Sequence, residues 1–173
     1  MFEYETDLPP TKPFTCCFTG HRKLSASKLG RIKELIAEQI DYAYSKGFTR
    51  FVCGAALGFD MLCEQAVLEK KKTCPDVTLV LVLPCVCHYE NWREEDKKEY
   101  SEIYRQCDEC YCMSGQYTER CMQLRNRAMV NDSAMCIAYL ENYKSGTAFT
   151  YKYAKETGIE TINIAEHLEG VEK

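Results

Sequence analysis

DVTLVLVLP, residues 76–84, decides how this chain folds. Val77, Leu79, Val80, Leu81, Val82 and Leu83 place apolar side chains on both sides of an extended backbone, because successive residues of a strand point to opposite faces. A strand that is apolar on both faces is covered from both sides, which is the environment of a central strand in a parallel sheet. Pro84 closes the run, since it has no N–H to give to a ladder.

The pattern extends outward in both directions. Upstream, GFDMLCEQAVLEKKK (58–72) reads as a helix whose final lysines suit the negative end of its dipole. RFVCG (50–54) reads as a strand. SASKLGRIKELIAEQIDYAYSKG (25–47) carries Leu29, Ile32, Ile36, Ile40 and Ala43 at helical spacing, with Gly47 as a stop, and FTCCFTG (14–20) is a first strand. Downstream come a polar helix around 92–106, the strand ECYCMS (109–114), the helix TERCMQLRNRAMVND (118–132) and the strand AMCIAYL (134–140). SGTAFTYKYA (145–154) opens a last helix and ETINI (160–164) is a last strand. Regular alternation with short connections predicts a Rossmann-like three-layer α/β fold, a mostly parallel sheet with helices on both faces and right-handed crossovers. One such domain is expected over residues 14–173, with residues 1–13 as an N-terminal tail.

The chain has 173 residues, 46% hydrophobic and 28% charged, enough for one domain with a core. Its formal charge of -4 disfavours a general nucleic-acid binder. No apolar run approaches the roughly 20 residues that span a bilayer, and the start lacks the basic and apolar regions of a secretory signal. A cytoplasmic protein without a membrane partner is expected. The 12 cysteines then read as reduced thiols used as small hydrophobes. Cys107, Cys110 and Cys112 are the tightest group, but lack the paired spacing of a zinc site, so no metal is assigned.

In an open parallel sheet, ligands bind beyond the carboxyl ends of the strands, where the strand order reverses. Three glycine-bearing junctions fit that place. FTGHRK (18–23) offers Gly20 for a tight turn, Arg22 to grip a phosphate, and His21 as a donor or an acid–base group. VCGAALGFDMLCEQ (52–65) offers Gly54, Ala55 and Gly58 for close backbone approach at a helix start. Asp60 in the same stretch suits ribose hydroxyls or a helix cap, and Asp60 and Glu64, four apart, form either a weak catalytic pair or a solvated helix face. SGTAFT (145–150) offers Gly146 and Thr147 as a phosphate cradle. Arg125, on the helix before the fifth strand, is a further phosphate ligand or a surface charge. Trp92 is the one tryptophan and is read as covering the end of the core rather than stacking on a base.

Together, FTGHR, VCGAALGFDMLCEQAVL and SGTAFTYKYAKETG resemble the YpsA-like branch of the SLOG superfamily, over roughly residues 14–165. That superfamily joins DNA-processing proteins of the DprA/Smf kind to the Lonely-Guy (LOG) phosphoribohydrolases. The resemblance implies a Rossmann-like fold and a homo-oligomer, usually a dimer. It also places Arg125 at a LOG arginine, with Asn126 where those enzymes carry a lysine, and Thr150 where they carry the catalytic glutamate. The binding half of the LOG motif stays and the acid–base half is gone.

The leading expectation is therefore a module that binds or senses a small phosphorylated nucleotide derivative, such as an ADP-ribose or NAD-like molecule. No cofactor is assigned beyond that nucleotide. One alternative is a nucleoside-phosphate hydrolase or transferase using Asp60 or Glu64. A second is single-stranded DNA binding of the DprA kind, which the acidic balance disfavours.

Overall fold

The structure is a computed structural model and describes residues 11–168. Most of the expected N-terminal tail lies outside the described residues; its last part enters a single 3-10 turn, Lys12–Phe14. Six strands follow: β1 (Thr15–Gly20), β2 (Arg50–Cys53), β3 (Thr78–Leu83), β4 (Glu109–Cys112), β5 (Met135–Tyr139) and β6 (Glu160–Asn163). Five helices connect them: α1 (Leu29–Ser45), α2 (Phe59–Thr73), α3 (Glu94–Gln106), α4 (Cys121–Asn131) and α5 (Gly146–Glu156). Residues 25–28 form turns before α1, and Trp92 precedes α3 instead of starting it.

The strands pair in the order β4-β3-β2-β1-β5-β6, and every pairing is parallel. The chain winds outward from β1 to β4, then crosses back to lay β5 on the other side of β1. With one hand for every crossover, reversing the direction of travel moves the helices to the opposite face. The core shows this result. Leu79, Leu81 and Leu83 of β3 join Phe18, Phe51 and Ile137 in a cluster with α1, α2 and α3. Val80 and Val82, the alternate residues of the same strand, join Cys17, Val52 and Cys136 against Met129 and Val130 of α4 and Ala154 of α5. Bulky residues face three helices and smaller ones face two, so the two-sided apolar run of β3 is filled on both sides.

The cysteines serve this packing: Cys16, Cys53 and Cys63 lie in the larger cluster and Cys17 and Cys136 in the smaller one, all as free thiols. Trp92 is half-buried against the larger cluster, edge-on to His88 and Tyr100. Among the described residues no helix is long and apolar enough to cross a membrane.

Candidate functional site

The strand order reverses between β1, which leads outward to β2, and β5. A cavity of about 270 Å³ lies at the carboxyl ends of these two strands. Gly20, His21 and Arg22 from the end of β1, Ala56 and Asp60 from the start of α2, Arg125 from α4, and Gly146 and Thr147 from the start of α5 line it. The three junctions thus converge on one space, as the reversal of strand order requires. Phe18, Thr19, Met122, Asn126 and Ser145 complete the lining. Met122 stands three residues before Arg125 and four before Asn126, the helical spacing that puts it beside both.

The start of α5 opens its first backbone amides to the cavity. The Ser145 hydroxyl caps the helix by accepting the Ala148 N–H at 3.3 Å. The Phe149 N–H turns to the Ser145 carbonyl. The first amides of a helix have no intrahelical acceptor, so those of Gly146 and Thr147 stay unpaired among the described residues, at the cavity. Gly146 is open there: nothing lies within 4 Å of where its Cβ would stand.

The other glycines make room for close packing around the cavity. A Cβ on Gly20 would stand 2.2 Å from the Phe59 ring, so this glycine admits a core side chain. A Cβ on Gly58 would stand 2.2 Å from the Arg22 carbonyl oxygen, and Gly58 has φ +77. Beside it the Phe59 N–H donates to the His21 carbonyl at 3.1 Å. Gly58 therefore lets the second junction lie directly on the first. Gly54 is buried beneath Arg125 and Asp60. Ala55, with φ 53, is buried too, and its carbonyl meets His88 Nε2 at 3.0 Å. Gly54, Ala55 and Gly58 shape the site from outside the cavity.

Arg125 is not the exposed helix charge that one reading of the sequence allowed. It is 5% exposed. Its Nη1 donates to the carbonyls of Gly54 and Val82, and its Nε donates to Asn126 Oδ1 at 2.7 Å. Burial lowers its pKa from the ordinary arginine value, and the nearby Asp60 carboxylate opposes that shift. Asp60 accepts the Ala56 N–H at 3.3 Å. Burial raises its pKa and the Arg125 charge holds it down, giving a buried carboxylate opposite a buried guanidinium on the cavity wall.

Glu64 corrects a second expectation. It is fully buried, not on a solvated face, and it does not line the cavity. Neither carboxyl oxygen has a hydrogen-bond partner within bonding geometry among the described residues; the Ala55 amide favours its charged form. Burial, and then repulsion from Asp60, push its pKa well above the ordinary glutamate value. It cannot touch a ligand, so the catalytic pair of Asp60 and Glu64 does not form a surface for one.

His21 is also committed. Its Nε2 accepts the N–H groups of Glu141 at 2.9 Å and Asn142 at 3.1 Å, tying the loop before α5 to the end of β1. Two donors at one ring nitrogen require the neutral ring, and burial lowers its pKa accordingly. The Nε2 is thus spent on the protein rather than on a phosphate. Arg22 is exposed at the rim, its Nη2 3.7 Å from Met122 Sδ. Thr150 is buried and its hydroxyl donates to the Gly146 carbonyl at 3.2 Å, within its own helix. Among the described residues no group of three or more histidines, cysteines or carboxylates is placed to hold a metal ion. Cys107 and Cys112 point their thiols at backbone carbonyls.

A parallel sheet wound in both directions, with a polar cavity where its order reverses, defines an α/β protein of the doubly wound type. The chain belongs to the YpsA family of the SLOG superfamily: the family model described as YspA SLOG family matches residues 16–165. Among curated proteins, the SPbeta prophage-derived protein YoqJ of Bacillus subtilis is 29% identical over 147 residues, 78% of this chain and 82% of that protein. The UPF0398 protein SERP1017 of Staphylococcus epidermidis is 24% identical over 86 residues, 50% of this chain and 46% of that protein. Among solved structures, the fold is similar to DNA processing protein A from Helicobacter pylori, a structure describing its single-stranded DNA binding mode, with a TM-score of 0.64 at 18% identity. DNA processing protein A from Streptococcus pneumoniae gives 0.63 at 17%. Each match covers 88% of this chain, which spans 65% of the first protein and 50% of the second.

Proposed function

We propose that the cavity between β1 and β5 binds the phosphate and ribose of a small nucleotide derivative, and that the protein acts as a binding or sensing module. The observation that carries this reading is the convergence of Asp60, Arg125 and the open start of α5 on one cavity. The amides of Gly146 and Thr147 and the positive end of the α5 dipole take the phosphate, with Arg22 closing from the rim. Asp60, acceptor-only when ionised, takes ribose hydroxyls. Arg125 is held by backbone carbonyls, and its charge favours the ionised form of Asp60 against the burial that raises its pKa. At about 270 Å³ the cavity is small beside the roughly 300–1,000 Å³ of ordinary ligand sites, so it suits the sugar-phosphate end and leaves the base outside. A neighbouring groove of about 300 Å³, which shares Arg22 and is floored by Leu57 and Met61, suits the base. Thr150, where the LOG enzymes carry their glutamate, turns its hydroxyl into its own helix, and Asp60 is the one carboxylate lining the cavity among the described residues. Binding is favoured over glycosidic hydrolysis for that reason.

The test is calorimetry of the full chain against AMP, ADP, ADP-ribose and NAD. At least one should bind in the micromolar range. Affinities all weaker than millimolar, for folded protein, would end the reading.

The likeness to DNA processing protein A supports a second reading, in which the same cradle holds a phosphate of single-stranded DNA. Binding through several phosphates weakens steeply with salt. An oligonucleotide affinity that falls at least tenfold between 50 and 200 mM salt, with no mononucleotide binding, selects this reading over the first.

A further inference from the structure

A second cleft, of about 390 Å³, lies at the β4 edge of the sheet, between α3 and that strand. Its walls are aromatic: Tyr89, Tyr100 and Tyr104 line it, while Tyr111, also in the lining, packs its side chain with the smaller cluster on the other face of the sheet. Tyr100 packs on Tyr89 with ring centroids 5.3 Å apart and on Tyr104 at 6.0 Å, spacings at which aromatic rings attract. Tyr100 is 6% exposed, but Tyr104 at the cleft is 48% exposed. A ring surface of that size, backed by a buried ring and left open, suits one more flat ring. Lys97 is the only charged residue in the lining. Its partner, Glu94 at 3.0 Å, is itself exposed, and such pairs hold weakly and exchange readily. The hydroxyls of Ser101, Tyr89 and Tyr104 have no hydrogen-bond partner among the described residues. Burial pushes Cys110 up to about 12 and raises Tyr100, so thiol and phenol stay neutral. The lining therefore combines aromatic faces, hydroxyl donors and a single cation, with no anion.

We infer that this cleft is a second binding site, for a flat aromatic molecule that carries one negative charge, such as an aromatic carboxylate. The ring stacks against Tyr104, and the carboxylate takes Lys97 in exchange for Glu94, with the Ser101 hydroxyl as a further donor. Charge-assisted hydrogen bonds of this kind are about twice as strong as neutral ones, so the anion outcompetes a neutral molecule of the same shape. The site shares no residue with the cavity between β1 and β5 and stands or falls independently of the nucleotide reading.

The test uses the full chain and three probes with one ring system: 2-naphthoate, 2-naphthylmethanol and 2-naphthylmethylammonium, measured by calorimetry. The carboxylate should bind about tenfold more tightly than the alcohol, and the ammonium most weakly. Lys97→Gln, which keeps the length of a half-buried side chain, should bring the carboxylate to within about twofold of the alcohol while AMP binding is unchanged. Ser101→Phe should fill the cleft and abolish all three, with a thermal melt confirming the fold. Carboxylate binding weaker than millimolar, equal binding of the three probes, or binding that survives Ser101→Phe would each overturn the inference.

Discussion

Gly54 and Arg125 are locked together above the sheet: Arg125 Nη1 donates to the Gly54 carbonyl, and a Cβ on Gly54 would stand 2.8 Å from that nitrogen and 2.8 Å from Asp60 Oδ2. A methyl group there falls between the two charged groups that the nucleotide reading needs. The guanidinium is the softer obstacle and must swing off its carbonyl anchors. Gly54→Ala should therefore lower AMP affinity about tenfold or more. Its stability cost should be about 1–3 kcal/mol, as for other overpacked positions. Calorimetry and urea unfolding on the same variant measure both.

Gly58 and Gly146 should separate architecture from binding. At Gly58 the obstacle is backbone, the Arg22 carbonyl, and the residue has φ +77 with ψ -119, a conformation almost reserved for glycine. Gly58→Ala should cost about 3 kcal/mol or more, strain and clash together. Gly146→Ala meets nothing within 4 Å, and alanine favours a helix over glycine by about 0.5–1 kcal/mol. Its urea midpoint should hold or rise. Any loss of AMP affinity in that variant then reports on the phosphate cradle alone.

The strands and their outer ends were legible because apolar runs such as 76–84 encode burial on both faces, and glycines mark the turns beyond them. What the glycines are for was not legible. Gly20 makes room for Phe59 and Gly58 for the Arg22 carbonyl, and both depend on how the start of α2 docks onto the end of β1, which no local pattern states. The spacing of Asp60 and Glu64 correctly placed them on one side of α2 but not which side. α2 packs between α1, α3 and the sheet, so even the polar residues Asp60 and Glu64 are buried. The role of His21 depends on two amides 120 residues further on, beyond the reach of a local reading.

Glu64 should leave a signature in pH-dependent stability. Its native pKa lies above the ordinary 4.5, so the native state binds the proton more tightly than the unfolded one. The stability this contributes is complete below pH 4.5 and is lost as pH rises toward the native value. Over that window it falls by about 1.4 kcal/mol per pH unit. Glu64→Gln removes the titration. The difference in unfolding free energy between variant and wild type should thus grow with pH above 4.5 and level off once the native carboxyl ionises. Urea unfolding at pH 4, 5, 6 and 7 measures it, and a difference independent of pH would mean that Glu64 is ionised in the fold.

Thr150 gives the sharpest test of whether this is a LOG-type hydrolase that has lost one residue. Restoring a glutamate there would be enough only if position 150 faced the cavity. It does not line the cavity; the side chain is 6% exposed and its hydroxyl donates back to Gly146. A longer acidic side chain at this place must enter the packing of α5 against the sheet, with burial opposing its charge. Thr150→Glu should lower stability by about 1–3 kcal/mol and release no base from AMP, followed by chromatography. Base release by the variant but not by the wild type would show that α5 can turn this position toward the ligand. The binding reading would then have to give way to a latent hydrolase.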